Sequence, residues 1–170
     1  AVNVSVEQLD ETFVALVVES LAESGVPAEQ LVLELTESAL AESRERAGDV
    51  LQQLRALGCS IALDDFGTGY SSMAYLADLP VDRLKIDRSF VGSMGASRKS
   101  LVLVRTLLQM THSLGLTAVA EGVETVEQAD ILRGMDCERA QGYLFARPMA
   151  PQDLLLMVQV TGGLLPMSAD

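Results

Sequence analysis

Seven residues scattered along the chain carry groups able to do chemistry: Asn3, Glu34, Asp64, Asp65, Lys85, Glu121 and Gln141. Five of them, Asn3, Glu34, Asp64, Asp65 and Glu121, offer only oxygen donors. Such a set suits a hard cation, Mg²⁺ or Mn²⁺, rather than a metal that prefers thiolate. Several carboxylates around one pocket can hold two cations about 4 Å apart, a pair that activates water and clamps a phosphodiester for in-line displacement. Lys85 would add positive charge near the attacking water or the phosphoryl oxygens. Gln141 is neutral and suits orienting a water or ligand better than ligating a metal. Asp64 and Asp65 repel each other. A bound cation, a lysine or a shifted pKa must relieve that repulsion if both face one pocket.

Taken singly, each residue has a plainer reading. Asp65 suits a turn cap, Glu34 a partly exposed strand acid, Lys85 an ion-pair partner and Asn3 a tie to a backbone edge. Glu37 and Glu124 suit helix caps or first-turn acids favoured by the helix dipole. Taken together, those readings require every strand end to be polar by accident. Other motifs exclude themselves. Gly67-Thr68-Gly69 is followed by no Gly-Lys-Ser/Thr and lacks the third glycine of a dinucleotide fingerprint. His112 is the single histidine and falls mid-helix, which rules out a histidine-based triad. A receiver-type phosphoacceptor accounts for Asp64, Asp65 and Lys85 but leaves Glu34, Glu121 and Asn3 unexplained.

These residues need a scaffold that gathers them from distant points. The apolar run Ile61 to Leu63 ends in Asp64 and Asp65, then a Gly-Thr-Gly turn, then the helix-like run Met73 to Leu79. Functional groups at the C-terminal ends of apolar strands belong to α/β sheets and barrels. The pattern repeats, with strands expected over 1–5, 31–37, 59–63, 83–87, 117–124 and 139–145. A capping box at Ser5 and Gln8 opens a helix with the stripe Leu9, Phe13, Leu16, Val17 and Leu21, stopped by Gly25 and Pro27. Val50, Leu54 and Leu57 mark a second helix, preceded by a solvated helix face over 42–46. Further helices are expected over 101–114, 125–132 and 153–160, and residues 91–100 read as a loop with a short turn. Alternation puts Lys85 and Asp87 on one face of their strand. Six strand–helix repeats predict a parallel sheet with right-handed crossovers. A doubly wound sheet focuses its ligand at one switch point, whereas a barrel gathers residues from many strands. The even spread of polar groups therefore favours a (β/α)₈ TIM-type barrel lacking about its first two β/α units. The chain opens in mid-strand, which points to a domain that starts upstream. The expected division is a partial barrel domain over 1–161 and a C-terminal tail over 162–170.

The 170 residues are 49% hydrophobic, which fits a packed globule. A formal charge of −12 excludes a nucleic-acid polymer as partner, because no basic stripe could track its phosphates. It leaves room for a small phosphate ligand held through metal ions. Cys59 and Cys137 lack metal-type spacing and fit packed thiols in a reducing cytosol. No run reaches the ~18 apolar residues of a membrane span, and no signal peptide is visible. A cytoplasmic location without membrane contact from this segment follows as the expectation, with an upstream segment free to anchor the parent.

Six motifs stand in a fixed order: Asn3-Val4-Ser5, Glu34-Leu35-Thr36-Glu37, the stretch Asp64 to Ser72, Lys85-Ile86-Asp87, Ala120-Glu121-Gly122-Val123-Glu124 and Gln141-Gly142-Tyr143. In these motifs and their spacing the sequence resembles the EAL-domain family, the bacterial cyclic-di-GMP phosphodiesterases, over essentially its whole length. The resemblance implies a (β/α)₈ barrel with substrate across the strand C-terminal ends. It implies hydrolysis of one phosphodiester of cyclic-di-GMP to linear pGpG with Mg²⁺ or Mn²⁺. It implies that Asn3, Glu34, Asp64 and Glu121 are metal ligands, with Asp65 at the second cation and Lys85 beside the nucleophilic water. Lys85, Glu121, Asp64 and Asp65 are then the catalytic set, and Gln141 lines the substrate site. Glu37 matches the anchor of the loop after Asp64, which in the family links metal binding to the dimer interface. Glu124 and Asp87 match supporting positions. The name-giving Glu-Ala-Leu, with an Arg two residues on, is absent. In the family that Glu ligates metal and that Arg meets a phosphate, and both would lie upstream of Ala1. The expectation is therefore a phosphodiesterase whose 170-residue piece alone is weakly active or inactive. An upstream sensory or GGDEF-type domain and a homodimer are the expected partners besides cyclic-di-GMP. The alternative is a non-catalytic EAL-like receptor or protein-interaction module.

Overall fold

Six strands lie side by side in chain order, each parallel to the next: β1 (Val2–Asn3), β2 (Val32–Thr36), β3 (Ser60–Phe66), β4 (Arg83–Ile86), β5 (Thr117–Ala120) and β6 (Arg139–Ala140). They are seen in a computed structural model that describes residues 1–42, 44–67, 76 and 79–161. Between the strands run α1 (Glu11–Ser24), α2 (Glu37–Glu42), α3 (Arg44–Ala56), α4 (Arg88–Ser93), α5 (Arg98–Ser113) and α6 (Val126–Arg133), and α7 (Pro151–Thr161) follows β6. A strand order that equals the chain order is the winding of a TIM-type barrel, and the sheet is an α/β arc of six such units.

The inner strands explain themselves. Ile61, Ala62 and Leu63 of β3 are all buried, as are Leu84 and Ile86 of β4. A parallel sheet covered on both faces demands such continuous apolar runs. Leu33 of β2, Ile61, Leu63, Leu84 and Ala118 of β5 form one core with Leu51 and Leu54 of α3 and Val104 and Leu108 of α5. The helices lie over the sheet, with α3 against β3 and α5 against β4 and β5.

Several boundaries differ from the sequence expectation. The capping box at Ser5 closes only a 3₁₀ turn over Val6–Gln8, where the Ser5 N–H donates to Gln8 Oε1. The helix proper starts later because Asp10 caps it, accepting from the Phe13 N–H at 3.0 Å. β3 is longer than expected and runs through both aspartates to Phe66. Residues 88–93 are helical rather than looped, since Asp87 caps α4 by accepting from the Ser89 N–H at 3.0 Å. Ser97 caps α5 in the same way through the Ser100 N–H. β6 stops after two residues, and Leu144 then donates to the Val123 carbonyl in a turn instead of a ladder. The expected Gly-Thr-Gly loop beyond Gly67 and most of the helix over 73–79 lie outside the described residues. So do the side chains of the expected solvated face over 42–46 and the tail over 162–170.

Candidate active site

Alternation along β4 sends Lys85 to the face opposite Leu84 and Ile86. There its ammonium meets acids from three other strands. Lys85 Nζ lies 2.8 Å from Glu34 Oε2, 2.9 Å from Asp64 Oδ1 and 2.7 Å from Glu121 Oε1. Glu34 stands on β2, Asp64 on β3 and Glu121 immediately after β5. Strands lie about 4.8 Å apart, so one lysine can reach all three only if the sheet curves toward this face. The curvature puts the strand C-terminal ends around a common centre.

Asp65 completes the acidic group. Its backbone has φ 54°, the left-handed conformation that a short acid tolerates better than most side chains. That turn swings its carboxylate back toward the site. One ligand oxygen each from Asp64, Asp65 and Glu121 lie within 4.8 Å of one another. Gln141 follows β6, and its Nε2 donates to Glu121 Oε1 at 2.6 Å.

The charges do not balance. Burial pushes the Glu121 carboxyl up; Lys85 opposes this, and the neighbouring Asp64 and Asp65 reinforce it, for a net rise. Asp65 is also pushed up, first by burial and then by Asp64 and Asp87, against Lys85 and Arg88. For Lys85 burial alone favours the neutral amine, but its interactions as donor to the Glu121, Glu34 and Asp64 carboxylates outweigh it and hold its pKa well above the usual lysine range. One ammonium with three acceptors is over-supplied with negative partners, and each acid around it is under-supplied with positive ones. An all-oxygen, electron-rich group of this kind fits a hard divalent cation.

The remaining sequence candidates are placed around this centre. Asn3 of β1 stands in register with Glu34, on the open edge of the sheet and exposed. Glu37, the first residue of α2, is buried, and its Oε2 accepts from the Gly67 N–H at 2.9 Å. Glu124 is exposed, and its N–H donates to Gln128 Oε1. Asp87 is the cap of α4, near enough to Asp65 to raise its pKa.

Sequence reasoning missed one feature. A cavity of about 450 Å³ beside Glu121 and Gln141 is lined by Arg88, Glu124, Tyr143 and Arg147. The Arg147 guanidinium lies 4.6 Å from the centroid of the Tyr143 ring, a cation–π contact. Arg88 directly follows the Lys85-Ile86-Asp87 motif, and Arg147 follows Tyr143 by four residues, so proximity to motifs was the available signal. Two glycines make the cavity wall possible. A Cβ at Gly122, φ 65°, would fall 2.5 Å from the Arg88 Cβ. A Cβ at Gly142 would fall 2.2 Å from the Val123 carbonyl oxygen.

The family model for the EAL domain matches residues 1–148. The chain is 49% identical over 150 residues to an uncharacterized protein of Azorhizobium caulinodans, an overlap of 88% of this chain and 20% of that one. It is 47% identical over 130 residues to the cyclic di-GMP phosphodiesterase NbdA of Pseudomonas aeruginosa, covering 76% of this chain and 17% of NbdA. The chain thus spans about a fifth of the length of these curated relatives. Among solved structures it is similar to the EAL domain of Mycobacterium smegmatis DcpA, with a TM-score of 0.88 and 40% identity over 96% of this chain and 73% of that one. The manganese and cyclic-di-GMP complex of Klebsiella pneumoniae BlrP1 matches with a TM-score of 0.81 and 32% identity, over 86% of this chain and 38% of BlrP1. Motifs, strand order and match length agree: the chain belongs to the EAL domain family.

Proposed function

We propose that this chain is the larger part of a domain that hydrolyses cyclic-di-GMP to linear pGpG. The observation that carries the reading is the convergence of Glu34, Asp64 and Glu121 on Lys85 at the strand ends, with Asp65 beside them. The phosphodiesterase named among the relatives and the manganese and dinucleotide in BlrP1 support it.

Asn3, Glu34, Asp64, Asp65 and Glu121 are the residues that would hold Mg²⁺ or Mn²⁺. Such cations supply a water of lowered pKa and polarise a phosphoryl oxygen. Lys85 keeps its proton, because three carboxylates hold its pKa up. It therefore acts as a positive charge and hydrogen-bond donor beside the reacting phosphate, not as a base. Burial raises the Glu121 carboxyl when no cation is beside it, so a bound cation would favour its ionised form and offset that cost. Gln141 fixes Glu121 through its amide, and the cavity beyond it receives part of the nucleotide. In the net reaction a water oxygen bonds to one phosphorus and the P–O3′ bond breaks. The 3′ oxygen takes a proton, and the phosphate stays on the 5′ side. Glu37 holds the chain after β3 through Gly67, with Glu124 and Asp87 supporting the neighbouring turns.

The functional domain spans residues 1–161 together with further strands, with 162–170 as a tail. A homodimer, an upstream sensory or GGDEF-type module and a cytoplasmic location complete the reading. No helix among the described residues is long and apolar enough to cross a membrane. The test is chromatographic detection of pGpG from cyclic-di-GMP with Mg²⁺ or Mn²⁺. It compares this chain with a version extended N-terminally by about 75 residues, roughly two barrel units. Product from the longer chain only is the expected result. Binding without product in both would make the domain a receptor and remove the catalytic roles given to Lys85 and Glu121.

A further inference from the structure

Lys85 already occupies the centre of the acid cluster. Its ammonium lies 2.7–2.9 Å from an oxygen of each of the three acids and donates a hydrogen bond to Glu34 Oε2. The side chain is only 6% exposed, so water does little to screen it. Without a cation of some kind, Glu34, Asp64 and Glu121 would face one another as like charges in a partly buried space, a costly arrangement. The ammonium is what lets these acids converge at all.

A divalent cation held by Asp64, Asp65 and Glu121 would sit beside that same ammonium, which lies 2.9 Å from Asp64 Oδ1 and 2.7 Å from Glu121 Oε1. The two positive charges repel strongly at such range in a poorly screened site. A lysine has a flexible four-carbon stem and a compact charge, so it can withdraw from a carboxylate as a second cation arrives. We infer that Lys85 is the resident counter-ion of the acid cluster, and that a divalent cation must displace its ammonium from Glu34, Asp64 and Glu121 in order to bind. Lys85 thereby sets the concentration at which the site loads with metal and keeps the strand ends assembled until it does. This role rests on the reading of the cluster as a divalent-cation site and is separate from any contact Lys85 makes with substrate.

The test is calorimetric titration of Mn²⁺ into the chain extended N-terminally by about 75 residues, as above, and into its Lys85→Met variant, at pH 7.5 without nucleotide. The variant should bind Mn²⁺ tighter by about tenfold or more, a modest return for removing a unit charge next to the ion. It should also melt lower than wild type in EDTA and recover most of the difference at saturating Mn²⁺. Equal or weaker binding by the variant overturns the inference while leaving the metal site intact. Absence of Mn²⁺ binding in both chains overturns the inference and the metal-site reading together. A second measurement needs only the wild type, in case the variant fails to fold without metal. The sequence has two lysines, Lys85 and the exposed Lys99, so the side-chain ammonium spectrum is simple. The buried Lys85 ammonium should give a slowly exchanging signal that shifts or broadens as Mg²⁺ is added. A Lys85 signal that stays put while backbone amides near Asp64 and Glu121 respond to Mg²⁺ overturns the displacement.

Discussion

Two acids outside the cluster, buried Glu37 and exposed Glu138, show how single side chains hold the two ends of the strands. Glu37 is 3% exposed and accepts from the Gly67 N–H, so it clamps the backbone just past the aspartates. Replacing it by alanine strips that N–H of a charged acceptor, and Glu37→Ala should cost about 1–3 kcal/mol in a urea unfolding experiment. Glu37→Gln keeps an acceptor oxygen and should recover part of the loss. Glu138 works at the opposite end of the strands. Its Oε1 lies 3.1 Å from His112 Nε2, and its Oε2 accepts from the Ala118 N–H at 3.1 Å. Burial pushes its carboxyl up, but backbone hydrogen bonds and His112 together outweigh that and leave it below the usual value. The folded state therefore binds this proton less readily than the unfolded chain. The stabilisation is present above the unfolded carboxylate pKa near ~4.3 and lost as pH falls through the folded value. With 42% of the side chain exposed, the effect stays within about 1 kcal/mol. Glu138→Gln should lower the melting temperature slightly at pH 7, and the difference from wild type should vanish by about pH 3.

Between elements, the turn after β6 closely approaches the turn after β5. Gly142 brings the backbone against Val123 and so aims Gln141 at Glu121. Gly142→Ala places a Cβ where the Val123 backbone already is, and neither backbone segment can move without breaking the Val123 N–H to Gln141 carbonyl bond. Overpacking of this kind should cost about 3 kcal/mol, read from the thermal or urea midpoint. The same elements show what sequence does and does not reveal. Apolar runs ending in acids located β2, β3 and β5, because a strand buried on both faces has no other way to be written. Lys85 was legible as a site residue because it is the one charged residue within the Leu84 to Ile86 run. Strand ends were not legible. Asp87 keeps the alternation of Lys85, yet its φ of −57° makes it a helix cap, and only the Ser89 N–H decides between those fates. The run after Ala140 looks like strand but folds as a turn, because Gly142 is held against Val123 by contacts far away in sequence. The stacking of Arg147 on Tyr143 is likewise a product of that turn and has no periodicity to betray it.

For the whole molecule the decisive feature is that the arc ends in two unpaired strands. Among the described residues β1 has a ladder partner in β2 alone, and β6 in β5 alone. The ladders at both edges are short, which limits edge-to-edge pairing. The apolar surface beside them is larger. Next to β1 an open groove is lined by Val2, Phe13, Leu16 and Val26. Beyond β6 the helix α7 exposes Leu154, Leu155, Leu156 and Val160, with Val160 at 78%. Contiguous apolar surface of this kind drives association unless charge opposes it. The chain carries a formal charge of −12, which does oppose it through mutual repulsion. These two effects make the outcome depend on salt. At low ionic strength repulsion acts over tens of ångströms, whereas near 0.5 M salt it is screened to about 4 Å. Light scattering should therefore show a mass no greater than a dimer's in dilute buffer and a larger, concentration-dependent mass at about 0.5 M NaCl, a reversal of what surface ion pairs would give. Leu155→Glu with Val160→Lys breaks the apolar face of α7 and leaves net charge unchanged, so it should suppress the salt-induced association. The two positions are exposed, so folding stability should move by no more than about 0.5 kcal/mol for each. Persistent association of that variant in salt would place the sticky surface at the β1 groove instead. Leu16→Glu, on the exposed side of α1, would then be the substitution that restores the low-salt mass.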